Sequence, residues 1–121
     1  AAHDVGVIAI RVLAAGALSG TSTRAENAAV NVAPIGTGAS FAEDVALAQS
    51  FSFLVAEGHV DSLVEAAIRF VIGKGEVSTT LVGISNMQQL EQAVVAANRG
   101  PLPGEAHRRL PEIWATYAAN R

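Results

Sequence analysis

The side chains with the most chemical promise in this 121-residue chain sit in two glycine-bearing turns. One runs from Leu13 to Gly20, LAAGALSG, directly after an apolar run; the other, Gly83-Ile84-Ser85-Asn86, directly precedes a helix-like period. A strand that ends in glycine and turns into a serine-capped helix presents backbone amides that have no partner inside the helix. Those amides, with the positive end of the helix dipole, suit an anion such as a phosphate. Ser85 also has a plainer role, because with Gln88 three residues on it forms a capping box, a routine way to begin a helix. Both roles stand at this point.

The other reactive side chains do not assemble into a catalytic set. His3, His59 and His107 fall on a terminus, a helix-to-helix loop and a late helix, without the i, i+4 pairing that puts two ligands on one face, so no metal site is expected. With no cysteine, disulfides and thiolate metal sites are excluded. Ser19 and Ser22 lie in a glycine-containing loop, but the order GALSG is not that of a nucleophile elbow and it leads into coil, which argues against a hydrolase. Glu43 and Asp44 stand in the first turn of a helix, where the dipole favours negative charge. Tyr117 shares a helix side with Ile113 and Trp114 and reads as a packing residue with a polar tip.

The elements that must position these turns can be read from period and punctuation. Val5 to Leu13, VGVIAIRVL, is β-branched and short, and predicts a parallel-type strand buried on both faces. Residues 14–39 are rich in glycine, serine, threonine, asparagine and proline and read as a long loop with at most one short helical turn; such length often covers a binding site. Asn31-Val32-Ala33 is too short to supply a further strand. Three capping boxes follow, Ser40/Glu43, Ser62/Glu65 and Ser85/Gln88. They open helices expected to run to about Glu57, to Ile72 before Gly73, and to Gly100-Pro101, with Gly58 as a left-handed cap after the first. Thr79 to Ile84 is the second strand. After Pro103 a last helical segment, broken near Pro111, presents Leu110, Ile113, Trp114 and Tyr117 on one side. The order implies an α/β fold with two parallel strands and four helical segments in a single partial domain over residues 1–121.

With 50% hydrophobic and 16% charged residues the chain should bury a core. A net charge of −3 and scattered arginines leave no basic stripe for nucleic acid. No apolar run is long enough for a bilayer and no signal-peptide pattern occurs, so a cytoplasmic protein without a membrane partner is expected. The sequence begins Ala1-Ala2-His3-Asp4 without methionine and reads like an internal stretch of something longer.

Gly6 to Gly20, GVIAIRVLAAGALSG, resembles the seventh strand and following loop of aldo-keto reductases, with Leu13, Gly16, Leu18 and Gly20 at the family's leucine and glycine positions. Glu65-Ala66-Ala67-Ile68-Arg69-Phe70 resembles the helix before the last strand, and Thr80-Leu81-Val82-Gly83-Ile84-Ser85-Asn86 resembles that strand with its turn; Gln89-Leu90 and Gly100-Pro101-Leu102 extend the likeness. It covers most of the chain in order and is weakest in 21–39. The resemblance implies the C-terminal portion of a TIM (β/α)8 barrel, in which phosphate sites recur after strands seven and eight. It implies that Ser85, Asn86 and Gln89 lie where the family holds the adenosine 2′-phosphate and adenine groups of NADP, that Leu13 and Gly16 run along the pyrophosphate, and that Gly83, at the end of the last strand, belongs to the same cofactor site.

Several positions depart from the family pattern. Gln89 stands where many members have arginine, and Gln92 and Ala93 where they have glutamate and asparagine, so the choice between NADP and NAD is open. Ile10 replaces the aromatic residue that stacks on the nicotinamide, and Arg11-Val12 replaces a Ser-Pro; Arg11 either contacts the cofactor or reaches solvent. The family's catalytic aspartate, tyrosine, lysine and histidine come from the first half of the barrel, and no catalytic residue is assigned in this chain. Lys74, in the Gly73-Lys74-Gly75 turn, and Tyr117 do not occupy those places.

The reading that results is a C-terminal piece of an NAD(P)-dependent carbonyl- or aldose-type oxidoreductase, carrying part of a dinucleotide site and inactive alone. Its partners would be the nicotinamide dinucleotide and either the missing N-terminal part of the barrel or further copies of the chain. The alternative is a truncated, non-catalytic protein that oligomerises through the surface its missing strands would cover. A complete small α/β nucleotide-binding module ranks below both.

Overall fold

A computed structural model of the chain describes residues 3–29, 33 and 39–119, with side chains described to residue 116. Of the segment Asn31-Val32-Ala33, only residue 33 lies among them. The elements, in order, are strand β1 (Ile8–Ala9), a 3₁₀ turn (Ala14–Ser19), helices α1 (Phe41–Gln49), α2 (Phe53–Ala56) and α3 (Leu63–Ile72), strand β2 (Thr79–Thr80), and helices α4 (Met87–Asn98) and α5 (Gly104–Ala119). The two strands pair in parallel, Ile8 with Thr79 and Ala9 with Thr80.

Both strands are shorter than their composition predicts. The Val7 carbonyl accepts from the Ser78 and Thr79 amides, the Ala9 carbonyl accepts from the Leu81 amide, and the Val7 amide donates to the Ser78 hydroxyl instead of a ladder carbonyl. Beyond Ala9 the backbone leaves the ladder, with Arg11 in the left-handed region at φ 57°. The expectation of burial on both faces is corrected as well: Val5, Val7, Ile8, Ile10, Leu81 and Ile84 are exposed. Ala9 and Val82 pack on the side of α3 and α4, and two strands with helices on one side leave their other face uncovered.

α3 is the centre of the packing, and its sequence explains why. Ser62 caps it by accepting from the Glu65 amide at 3.1 Å, the Glu65 carboxylate accepts from the Asp61 amide at 3.0 Å, and Gly73 ends it. One side of α3 joins Leu54, Val60, Leu102, Ala106 and Leu110 through Ala66. The other places Ile68 between Val12 of the first turn and Ala96 of α4. Apolar residues on both sides of one helix are what a middle layer requires.

The same helix carries a buried ion pair. Arg69 and Glu65, 8% and 6% exposed, meet at 2.9 Å. The Arg69 guanidinium also donates to the carbonyls of Gly100 at 2.9 Å, Pro101 at 2.8 Å and His59 at 3.3 Å, the first two lying just past the end of α4. Arg99 completes the network, reaching Glu65 at 2.8 Å and Asp61 at 2.7 Å. Burial works against the charge on Glu65, but hydrogen bonds from Arg99, the Asp61 amide and Arg69 outweigh it and hold its pKa below the ordinary carboxylate value.

Three helix expectations need correction. The helix opened by Ser40 divides into α1 and α2, giving five α-helices among the described residues where four segments were expected. Between them Ser50, Phe51 and Ser52 donate to the residues three back, Leu47, Ala48 and Gln49, a tighter winding at a place where serine competes for backbone partners. α5 is unbroken at Pro111. Ala106 and Leu110, buried before the proline, belong to the core on which Phe70 packs, and Trp114 after it meets the Phe70 ring edge-on at 5.9 Å, so both halves are tied to the same core and this contact outweighs the one lost hydrogen bond. The cap of α4 is Asn86 and not Ser85, with consequences for the site. The Tyr117 side chain, expected to pack, lies outside the described side chains.

Candidate functional site

The first turn is wound tightly by its own backbone. The Leu13 carbonyl accepts from the amides of Gly16 at 2.8 Å and Leu18 at 3.2 Å, while Ala14, Ala15 and Gly16 are successively left-handed at φ 46°, 57° and 98°. Two of those three are alanines, which resist this region, so the turn must be held from outside. α1 does this. The Gln49 side-chain amide donates to the Gly20 carbonyl, and Arg24, lying over the Phe41 ring with 5.0 Å to its centroid, donates to the Ala15 carbonyl at 3.1 Å. Sequence reasoning passed over Arg24 because a lone arginine in a polar loop carries no spacing signal.

Gly20 separates packing from backbone strain. It stands at φ +74°, and a Cβ there would lie 2.7 Å from Leu63 Cδ1; at Gly16, φ +98°, a Cβ would meet nothing within 4 Å. Gly20→Ala is expected to destabilise the chain by about 2 kcal/mol and Gly16→Ala by about 1 kcal/mol, measured as shifts of the urea midpoint. Equal losses would contradict this account of the turn.

In the second turn the expected Ser85/Gln88 box is replaced by one a residue later. The Gln89 amide donates to Asn86 Oδ1 at 2.9 Å, and the Ser85 amide donates to Gln89 Oε1 at 2.8 Å. Asn86 therefore does the capping that was assigned to Ser85, and the Ser85 hydroxyl is left outside the cap. The oxygens of Asn86 and Gln89 are committed to the helix end, whereas their NH2 groups have no hydrogen-bond partner among the described residues. Gly83 is exposed, with open space where a side chain would stand.

Because β1 and β2 are neighbours and parallel, both turns leave the same end of the sheet. Val12 and Leu13 from one and Val82 from the other share a single apolar cluster, so the two turns are rooted side by side. Arg11 is exposed at the end of β1, Leu13 is half-buried under its turn, and Gly16 lies in the left-handed stretch. Together they offer a cation, open glycine backbone and side-chain amides, a set suited to a phosphate-bearing ligand lying across both turns. The arrangement is a ledge. The apolar cleft of about 250 Å³ lies among α1, α2, α3 and α5, with Leu18 of the first turn in its lining, and a second of about 360 Å³ lies between β2, α3 and α4. Among the described residues no group of three His, Asp or Glu could hold a metal ion, and no helix is long and apolar enough to cross a membrane.

A model of the aldo/keto reductase family matches residues 1–115. The chain belongs to the aldo/keto reductase family. No curated protein and no solved structure matches it. The family match spans both turns, the buried ion pair and most of α5, so the resemblance carried by LAAGALSG and TLVGISN extends through the polar loop between them. Aldo/keto reductases are oxidoreductases that generally bind a nicotinamide dinucleotide. Among the described residues the chain is a small α/β arrangement with two parallel strands, in keeping with part of that family's architecture.

Proposed function

We propose that this chain corresponds to the C-terminal part of an aldo/keto reductase barrel and supplies the ledge that holds the phosphates and adenosine of NADP(H) or NAD(H). The observation that carries the reading is the departure of both turns from one end of two adjacent parallel strands, which lets one extended ligand touch both. Arg11 would face the ligand's negative charge, Leu13 and Gly16 would line the pyrophosphate, and Gly83 would give backbone access. Ser85, Asn86 and Gln89 would meet the adenosine end through the hydroxyl and the two NH2 groups that capping leaves over. When bound, the nicotinamide supplies or accepts a hydride; the residues here bind and orient. The proton donor must come from elsewhere in a complete barrel, so the chain alone is inactive.

Titrating the chain with NADPH and NADH, followed by nicotinamide fluorescence, tests this. Weak saturable binding of both is expected, with little preference because neutral Gln89 stands where a cation would select the 2′-phosphate. Arg11→Ala should weaken both roughly fivefold, the worth of one exposed ionic contact. No saturable binding up to the solubility of the nucleotide would overturn the cofactor ledge. Carbonyl reduction by the chain alone, once contaminating reductases are excluded, would overturn its inactivity.

A second reading is favoured by the exposed Val5, Val7, Ile8, Ile10, Leu81 and Ile84, which form an uncovered sheet face and edge. On that reading the chain is a non-catalytic protein that assembles through this surface. Sedimentation distinguishes the two, since a clean monomer that binds nucleotide supports the first and a nucleotide-insensitive oligomer supports the second.

A further inference from the structure

Three aromatic rings, Phe51, Phe70 and Trp114, line the apolar cleft of about 250 Å³, to which the first turn contributes Leu18. Every residue that lines it is apolar, among them Leu54, Leu63, Ala67, Phe70, Leu110 and Trp114. That volume exceeds the roughly 150 Å³ known to take up a benzene molecule in a dry cavity, and it is too small for a helix or a strand. One wall has a charge behind it. Lys74 Nζ lies 4.3 Å from the centroid of the Phe70 ring and 3.4 Å from His107 Nε2. The His107 ring stacks on the same phenylalanine at 5.7 Å, and Trp114 meets it edge-on at 5.9 Å.

Lys74 makes no ion pair among the described residues, whereas Arg69, Arg99 and Arg109 each meet a carboxylate. A half-buried ammonium is held by an imidazole and by the ring of Phe70, which also walls a purely apolar cleft, and it has no carboxylate partner among the described residues. The missing part is an anion, and the cleft beside it asks for an apolar body. We propose that this cleft binds a small amphipathic carboxylate, such as a medium-chain fatty acid, with its chain against Leu54, Leu63, Leu110 and Trp114 and its carboxylate on Lys74 and His107. The site shares no residue with the dinucleotide ledge and does not depend on that reading.

Trp114 is the sole tryptophan, so its emission reports on this cleft. The full chain is titrated with octanoate and with octanol, which has the same chain length and no charge. Octanoate should change Trp114 emission saturably and bind roughly fivefold more tightly than octanol, the worth of one partly exposed ionic contact. Lys74→Met keeps the apolar stem and should bring octanoate down to the affinity of octanol while leaving octanol unchanged. Ala67→Phe fills the cleft and should abolish both. Equal affinities for the two probes in the native chain, or an octanoate affinity unmoved by Lys74→Met, would overturn the proposal. So would full binding by a folded Ala67→Phe, since the ligand would then sit on the exposed sheet face. Where Ala67→Phe fails to fold by circular dichroism, the comparison of probes across Lys74→Met decides.

Discussion

Replacing Arg69 with alanine is expected to lower the unfolding free energy by about 3 kcal/mol, a large fraction of what a domain of this size possesses. The guanidinium is fully engaged, with four partners, and those partners are separated by 4 to 32 residues in sequence. Its loss strands two carbonyls past the end of α4 and removes one of the two cations on buried Glu65. An unpaired buried polar group costs far more than a pair contributes, because desolvation is no longer offset. Arg99→Ala should cost much less, since that side chain is 41% exposed and water can replace it. The measurement is urea unfolding of the three proteins side by side; similar losses for both variants would mean that Arg69 is not the clamp.

The network also fixes a pH dependence. Glu65 is held below its ordinary pKa of 4.5 in the folded chain, so the folded state binds its proton less readily than the unfolded state. The stability it contributes is therefore fully present above the ordinary value and is lost as the pH falls through the depressed one. Arg69→Ala should narrow the acid-induced loss as well as lower the plateau.

Leu54→Ala should cost about 3 kcal/mol, with a fall in Tm of about 10 °C or more. Leu54 is the largest fully buried side chain among the described residues, 2% exposed, and its cluster joins α2 to α3 and α5. It also lines the apolar cleft, so the space left by its side chain adds to an existing opening instead of closing by collapse. A control at Leu90, 37% exposed on α4, should lose well under 1 kcal/mol. Calorimetry of the two variants gives the comparison, and equal Tm values would refute the core assigned here.

What the amino-acid order determined on its own is local. Ser62, Glu65 and Gly73 mark both ends of α3 because a cap is a bond between residues three or four apart, and nothing distant need be known. The parallel order of two strands followed from the βα rhythm, and the family from two short motifs around glycine. Ser85 and Asn86 are both good caps, and adjacency alone could not say which of them would take the Gln89 amide. Tertiary contact decided the rest. It carried α5 through Pro111, left one sheet face bare, and drew Arg69 to carbonyls beyond α4 and Arg24 to the Ala15 carbonyl. Each of these depends on which residues far apart in the chain compete for the same apolar surface or the same unpaired backbone group, and that competition is settled only when the elements meet.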